Sequence, residues 1–325
     1  MNRRRAIALI AASAWVAPLA RGATAPAKGR VPRVVLLTSS PPVRETDEWF
    51  ARAAEVFASH GLEHGKNLHL QVVGYGGRQD ARESLAREVV VGRPDVIGVS
   101  GSEDALLLKR LTREVPIVFV NVDDPVKAGL VQSFQRPGGN VTGVTNRSLE
   151  LVAKRIELLK ELRPRSRRIA AFMKGDELTT SLMRTELVDA ARRTGLELVE
   201  VAPRNANAAK TLSQSRADVA ISFLGWSQLQ RAGLVAVLEK LALPCIFPFN
   251  QSVQQGGLIS LGEKFREGEL RGTAIIVRIL KGEKPETLPV DQLSTVYLAL
   301  NLRTARALKI DIPQSIRLRA DEVIE

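Results

Sequence analysis

The sequence predicts an α/β protein of two similar lobes, each a parallel sheet flanked by helices, joined by a hinge that the chain crosses several times. Three observations lead there. Short apolar runs alternate with helix-period stretches along most of the chain. The alternation restarts after Pro137-Gly138-Gly139 and repeats at similar length. At 325 residues, 45% of them apolar and 25% charged, the chain is long enough for two domains and too apolar to be disordered.

In the first series Val34 to Leu37 reads as a strand, and Asp47 to Ser59 as a helix that Gly61 ends. Asn67 to Val73 alternates like a strand and Gln79 to Val91 is helical. Asp95 to Val99 is a strand, Glu103 to Arg113 a helix, and Pro116 to Val120 a strand. Repeated βα units of this kind make a parallel sheet covered on both faces. The second series predicts a helix over Leu149 to Leu162, a strand over Arg168 to Met173 and a helix over Leu182 to Arg193. A strand over Leu196 to Val201, a helix over Ala206 to Ser215 and a strand over Asp218 to Phe223 follow. Next come a helix over Gln228 to Leu241, strands over Pro244 to Phe247 and Gly257 to Leu261, and a helix over Glu263 to Leu280.

The last stretch is different. Leu293 to Leu302 is strand-like, Arg303 to Lys309 is a short helix, and the chain is extended from Pro313 onward. These elements are too few for a domain, so they are expected to complete the lobes already made. The resulting division is 26–143 with 262–292 for the N-terminal lobe, and 144–261 with 293–325 for the C-terminal lobe. Gly138, Gly139 and Gly143 are assigned to the hinge, because glycine supplies backbone freedom that other residues lack.

Residues 1–25 read as an export signal. Arg3, Arg4 and Arg5 precede an uncharged stretch from Ala6 to Ala20, and Ala23-Thr24-Ala25 fits a small-residue cleavage site. The stretch is too short to span a bilayer, which takes about 20 apolar residues. Arg4-Arg5-Ala6-Ile7 also resembles a twin-arginine signal. A periplasmic location is therefore expected. The formal net charge is +12; without the four arginines of the signal, 43 basic residues face 35 acidic ones, +8. Such a charge tunes solubility and does not identify a nucleic-acid binder. Aromatics are 4%, too few for base-stacking platforms. Cys245, the single cysteine, sits in the apolar run Leu243-Pro244-Cys245-Ile246-Phe247 and reads as a buried inert thiol.

Catalytic sets are incomplete. Gly98-Val99-Ser100-Gly101-Ser102 lacks the final glycine of a nucleophile elbow. His60, His64 and His69 crowd into one stretch that Gly61 and Gly65 interrupt, without the ligands of a metal site. Gly74-Tyr75-Gly76-Gly77 lacks the remaining signature of a dinucleotide loop. Neither cofactor nor metal is expected. What remains is binding at strand ends, since ligands of open α/β sheets sit beyond the carboxyl ends of the strands. Ser39, Ser100, Ser102 and Asp123 occupy those positions in the first series, Trp226 and Asn250 in the second. Hydroxyls, a carboxylate, an amide and an aromatic suit a small polar molecule. Capping competes for the serines, because Ser100 and Glu103 stand at capping-box spacing.

From Arg33 to Glu325 the chain resembles the solute-binding components of ABC importers, in the family that includes tryptophan- and tyrosine-binding members. The resemblance rests on Arg93-Pro94-Asp95-Val96-Ile97, Pro116-Ile117-Val118-Phe119-Val120, Asp124-Pro125-Val126-Lys127-Ala128-Gly129-Leu130-Val131 and Arg136-Pro137-Gly138-Gly139-Asn140-Val141-Thr142-Gly143. Ile279-Leu280-Lys281-Gly282-Glu283-Lys284-Pro285 and the closing Arg319-Ala320-Asp321-Glu322-Val323-Ile324-Glu325 extend it. It implies a type I periplasmic binding protein with three hinge crossings and no catalysis. It also implies a small ligand such as an amino acid, and an ABC permease as partner. A monomer is expected. Presentation of the ligand to a membrane sensor, or a hydrolase using Ser100, are the competing readings. Two loops depart from the family pattern. Ser100-Gly101-Ser102-Glu103-Asp104 replaces a Gly-Thr-Pro-Ala turn, and Lys174-Gly175-Asp176 replaces an Asn-Pro turn. Two acids in a first helical turn oppose a ligand carboxylate there.

Mass spectrometry of the exported protein tests the first of these expectations. The mature chain should begin near Pro26, and a retained residue 1 would overturn the signal assignment.

Overall fold

A computed structural model describes residues 29–325 apart from 40, 147, 174–177 and 204. The expected export signal and the Lys174-Gly175-Asp176 turn lie outside the described residues. Two sheets organise the chain. The first contains β1 (Arg33–Thr38), β2 (His69–Gly74), β3 (Val96–Ser100), β4 (Ile117–Val122), β5 (Val141–Thr145) and β11 (Asp291–Gln292), in the order β11-β5-β4-β3-β1-β2. All its pairings are parallel. The second contains β6 (Arg168–Phe172), β7 (Glu197–Val201), β8 (Val219–Ser222), β9 (Cys245–Phe247), β10 (Ile259–Gly262), β12 (Tyr297–Asn301) and β13 (Glu322–Ile324), in the order β13-β12-β10-β9-β8-β6-β7.

The inner strands β1, β3, β6, β8 and β9 are apolar almost throughout, as parallel strands buried on both faces must be. Val34, Val35, Val96, Ile97, Ile169, Ala170 and Phe172 are all 0% exposed. Helices α1 (Glu48–Ala58) and α10 (Phe265–Leu280) cover one face of the first sheet, α2 (Gln79–Val91) and α3 (Ser102–Leu111) the other. On the second sheet α4 (Leu151–Leu162), α5 (Leu178–Arg193), α11 (Leu302–Ala307) and α12 (Gln314–Arg319) cover one face. Its other face carries α6 (Ala208–Gln214), α7 (Trp226–Arg231) and α8 (Leu234–Lys240), with α9 (Asn250–Gln254) over the edge formed by β10 and β12.

The chain passes between the sheets three times: from β5 to α4 across 146–150, from β10 to α10 across 263–264, and from β11 to β12 across 293–296. Each passage leaves from the carboxyl end of a strand. This has a topological consequence. Gln292 pairs with Thr145 at the carboxyl end of β5, so the third passage enters the second sheet at its carboxyl edge. There Tyr297 pairs with Gly262, and β12 must run antiparallel to β10. Both sheets therefore turn their carboxyl ends toward the crossings, which is where an open α/β sheet binds its ligand.

Several expectations need correction. Val141–Thr145 is a fifth strand of the first sheet, fully buried, so Val144 and Thr145 belong with that lobe, and Gly262 with the second. The expected hinge glycines are not at a crossing. Gly138 (φ 76) and Gly139 precede β5, at its amino end. Gly143 lies inside the strand, where an added Cβ would stand 2.1 Å from the Phe119 carbonyl oxygen. Its role is close backbone approach. The single helix expected over Gln228 to Leu241 is two helices, divided at Gly233 in the left-handed region (φ 69). The stretch after Pro313 is not extended: Pro313 precedes α12, whose Ile316 is 0% exposed.

Replacing Gly143 with alanine should therefore cost about 1–3 kcal/mol of stability, the range for overpacking a well-filled interior. Urea unfolding measures it, and an unchanged midpoint would show that the close approach to Phe119 does not require glycine at 143.

Candidate functional site

The first lobe presents its strand ends as follows. Ser39 follows β1 and is half-buried. Ser100 ends β3 and is exposed, its Oγ accepting a hydrogen bond from Asn121 Nδ2 at 3.1 Å. Asn121 has φ 56, a left-handed conformation that asparagine tolerates better than most residues. The β4–β5 register breaks between Phe119 and Val122, around this residue. Thr145 Oγ1 ties the two strand ends together by donating to the carbonyls of Val122 (2.6 Å) and Asp123 (3.0 Å).

Asp123 emerges just beyond that tie. As a residue it is half-buried, but its Oδ1 is fully enclosed and has no hydrogen-bond partner among the described residues. Burial is the main force raising its pKa, to about 7; Arg155 opposes the rise, and Glu263 and Asp124 add to it. Holding this proton, the ligand-free fold gains stability below the ordinary carboxylate range near pH 4 and loses it as the pH rises through about 7.

Arg155, on α4 of the second lobe, is 0% exposed. Its Nε donates to the Leu261 carbonyl at 2.8 Å, and its Nη1 to Ser148 Oγ at 3.1 Å and to the Ser148 carbonyl at 3.4 Å. Nη2 has no hydrogen-bond partner among the described residues. Ser148 lies in the first crossing, and Leu261 just before the second. Burial lowers the pKa of Arg155 to about 10, against the raising influence of Glu263 and Asp123, so the guanidinium stays charged at neutral pH. Glu263, 1% exposed, stands in the second crossing itself. Beside it Lys264 Nζ sits 4.0 Å from the ring centroid of Tyr297, the first residue after the third crossing.

The loop that replaces the Gly-Thr-Pro-Ala turn has its own internal balance. Ser102 is 8% exposed at the start of α3. Tyr75 donates its hydroxyl proton to Asp104 Oδ2 at 2.9 Å, Arg82 Nε reaches Asp104 Oδ1 at 2.5 Å, and Arg82 Nη1 lies 3.2 Å from Glu103. Burial and Asp104 together push the Tyr75 hydroxyl pKa up. The two acids are thus matched by a cation and a phenol, which removes much of the repulsion that the bare sequence implies.

On the second lobe the sequence-derived residues have other partners. The Trp226 ring stacks edge-on against Phe247, with centroids 5.6 Å apart, and lies 3.1 Å from where a Cβ on Gly256 would stand. It packs with the layer that covers the second sheet. Asn250 Nδ2 donates to Glu322 Oε2 at 3.2 Å, and Gln254 Nε2 to Oε1 at 2.9 Å, pinning α9 to β13. The structure therefore brings Ser100, Asn121 and Asp123 to one edge of the first sheet, and gives Trp226 and Asn250 partners within their own lobe.

Arg155 and Glu263 were missed from the sequence. A signal for Arg155 was present: it falls on the apolar stripe Val152, Ile156, Leu159 of α4, where an arginine is out of place unless it is buried with partners. The histidines serve the opposite end of the first lobe. His69 begins β2, and His64 Nδ1 accepts from the Leu70 amide at 3.1 Å. No histidine therefore stands near Ser100 as a general base. Cys245 is buried, and burial pushes its thiol pKa well up.

A family model described as ABC transporter substrate binding protein matches residues 51–324. A tyrosine-binding protein of Clostridioides difficile (strain R20291) is 24% identical over 292 residues, covering 88% of this chain and 81% of that protein. Among solved structures, a conserved domain protein from Vibrio cholerae superposes with TM-score 0.78 at 25% identity, covering 90% of this chain and 100% of that one. An ABC domain from Streptococcus pneumoniae in complex with L-Trp gives TM-score 0.78 at 24% identity, covering 91% and 100%.

Since the Trp226 ring packs within its own lobe, Trp226→Ala should lower stability by about 2–3 kcal/mol, less than for a fully buried tryptophan. Ligand affinity should stay within about twofold. Calorimetric unfolding and binding titrations separate these effects, and a large loss of affinity at unchanged stability would return Trp226 to the cleft.

Proposed function

Because the chain belongs to the ABC transporter substrate-binding protein family, we propose that it captures a small amino-acid-type solute between the carboxyl edges of its two sheets. Exported to the periplasm as a monomer, it would hand this solute to an ABC permease. The carrying observation is Asp123: a carboxyl just after β4 whose enclosed Oδ1 has no hydrogen-bond partner among the described residues. A buried polar atom left unmatched is costly, and a protonated amine supplies the missing donor.

The neighbours of Asp123 support the reading. Ser39, Ser100 and Ser102 stand at adjacent strand and helix ends of the same lobe, where hydroxyls and amide groups meet a polar ligand. The tyrosine-binding protein and the L-Trp complex among the relatives favour an aromatic amino acid as the first class to test. No catalytic step is assigned: the chain binds and releases.

Thermal shift and titration calorimetry with a panel of amino acids, L-tyrosine and L-tryptophan included, test this. One member should bind at one site per chain and raise the melting temperature in proportion to ligand excess. Asp123→Asn should weaken that binding by about 10- to 100-fold, the loss expected when a charged hydrogen bond becomes neutral. A panel without binders, or full affinity in Asp123→Asn, would overturn the proposal.

A further inference from the structure

We propose that solute capture at this cleft expels a proton from Asp123, and that Arg155, reaching across from the second lobe, sets how readily that proton leaves. The inference rests on the binding reading above and adds its regulation by pH.

The geometry supplies the parts. Asp123 stands at a strand end of the first lobe, and Arg155 on the first helix after the crossing into the second. Arg155 is buried, as is the Oδ1 of half-buried Asp123; among the described residues each keeps one polar atom without a hydrogen bond, and no hydrogen bond joins the two. Among the described residues, the charged groups facing Asp123 are Arg155 from α4, Glu263 from the second crossing and Asp124 from its own loop. In the ligand-free state burial and the two acids outweigh Arg155, and the carboxyl keeps its proton up to about pH 7.

A protonated amine placed against Oδ1 adds a second cation at hydrogen-bond distance. The balance then reverses, the carboxyl ionises, and its proton passes to solvent while the amine keeps its own. Binding must therefore tighten as the pH rises through 7, because only the ionised form accepts the amine well. With a free-state midpoint of about 7 and a much lower one in the complex, affinity at pH 8 exceeds that at pH 6 by about tenfold. Half a proton, roughly, is released per ligand at pH 7.

Carbon-13 NMR of the aspartate carboxyls tests the ligand-free half of the inference without any solute. The Asp123 resonance, assigned by its loss in Asp123→Asn, should titrate near pH 7. Arg155→Met should move that midpoint upward and Arg155→Lys should return it toward the native value, a rescue that a purely packing role for Arg155 would not produce. A midpoint near 4 in the native protein overturns the proposal, whether or not Arg155→Met folds. Calorimetry with L-tryptophan at pH 6, 7 and 8, in phosphate and in Tris, tests the coupled half. The expected results are about tenfold tightening and a buffer-dependent enthalpy, both absent in Asp123→Asn. Binding that is flat across this range, with no proton released, overturns the inference and leaves the binding reading standing. Failure of the whole amino-acid panel, with a midpoint near 7, would instead remove the amino-acid ligand and keep the titrating carboxyl.

Discussion

A guanidinium shut off from water has to find its partners inside the protein, and Arg155 finds them on the segments that join the two lobes. Ser148 of the first crossing and Leu261 at the mouth of the second both receive its N–H groups. Burying such a charge costs several kcal/mol unless hydrogen bonds and opposite charge compensate. Here the compensation comes from chain that must also be positioned for the lobes to meet. The same interaction that keeps Arg155 charged in the interior therefore fixes where two of the three crossings run.

Close packing follows from that arrangement. Gly262, the last residue of β10, has the Pro248 carbonyl oxygen 1.8 Å and Arg155 Nη2 3.2 Å from where a Cβ would be. Any side chain at Gly262 would push the strand end away from the guanidinium. On the first lobe Thr145 fastens the ends of β4 and β5, so Asp123 leaves the sheet from a clamped base. A carboxyl and a guanidinium held on rigid supports, close enough to feel each other yet not bonded, are the arrangement on which the proposed capture of a charged solute rests.

The alternation of apolar runs and helical stretches made most of the strands readable, because strands buried on both faces have almost no choice but Val, Ile, Leu and Phe. Val141-Thr142-Gly143-Val144-Thr145 escaped because only two of its residues are apolar. Thr142 is satisfied by donating to the Leu288 carbonyl at 2.9 Å, a partner 146 residues away that no local pattern reveals. Reading that strand as a flexible joint displaced the hinge to the wrong side of it. Asp123 was legible as the polar residue after an apolar strand, whereas its lack of a partner is a three-dimensional fact. The packing of Trp226 was hidden for a related reason. Trp226 does follow a strand end, but the space beside Gly256 that receives its ring is set by a loop thirty residues later in the chain. Arg155 stood in plain view on an apolar helix face, and an amphipathic reading that counts only apolar residues passes over it.

The third crossing has a bearing on how the chain acquires its structure. The first sheet takes its last strand, β11, from beyond the whole second βα series, with Asp291 beside Val144. The second sheet in turn waits for β12 and β13. Neither lobe can finish as a separate unit while the chain emerges residue by residue. Contacts of such long sequence separation are slow to form, since the loop must close before any gain is realised. A chain that stays incomplete until its last 35 residues arrive, roughly, also stays open and threadable until then. If the chain is exported as proposed, late completion of the fold keeps an unfolded route across the membrane available for longest.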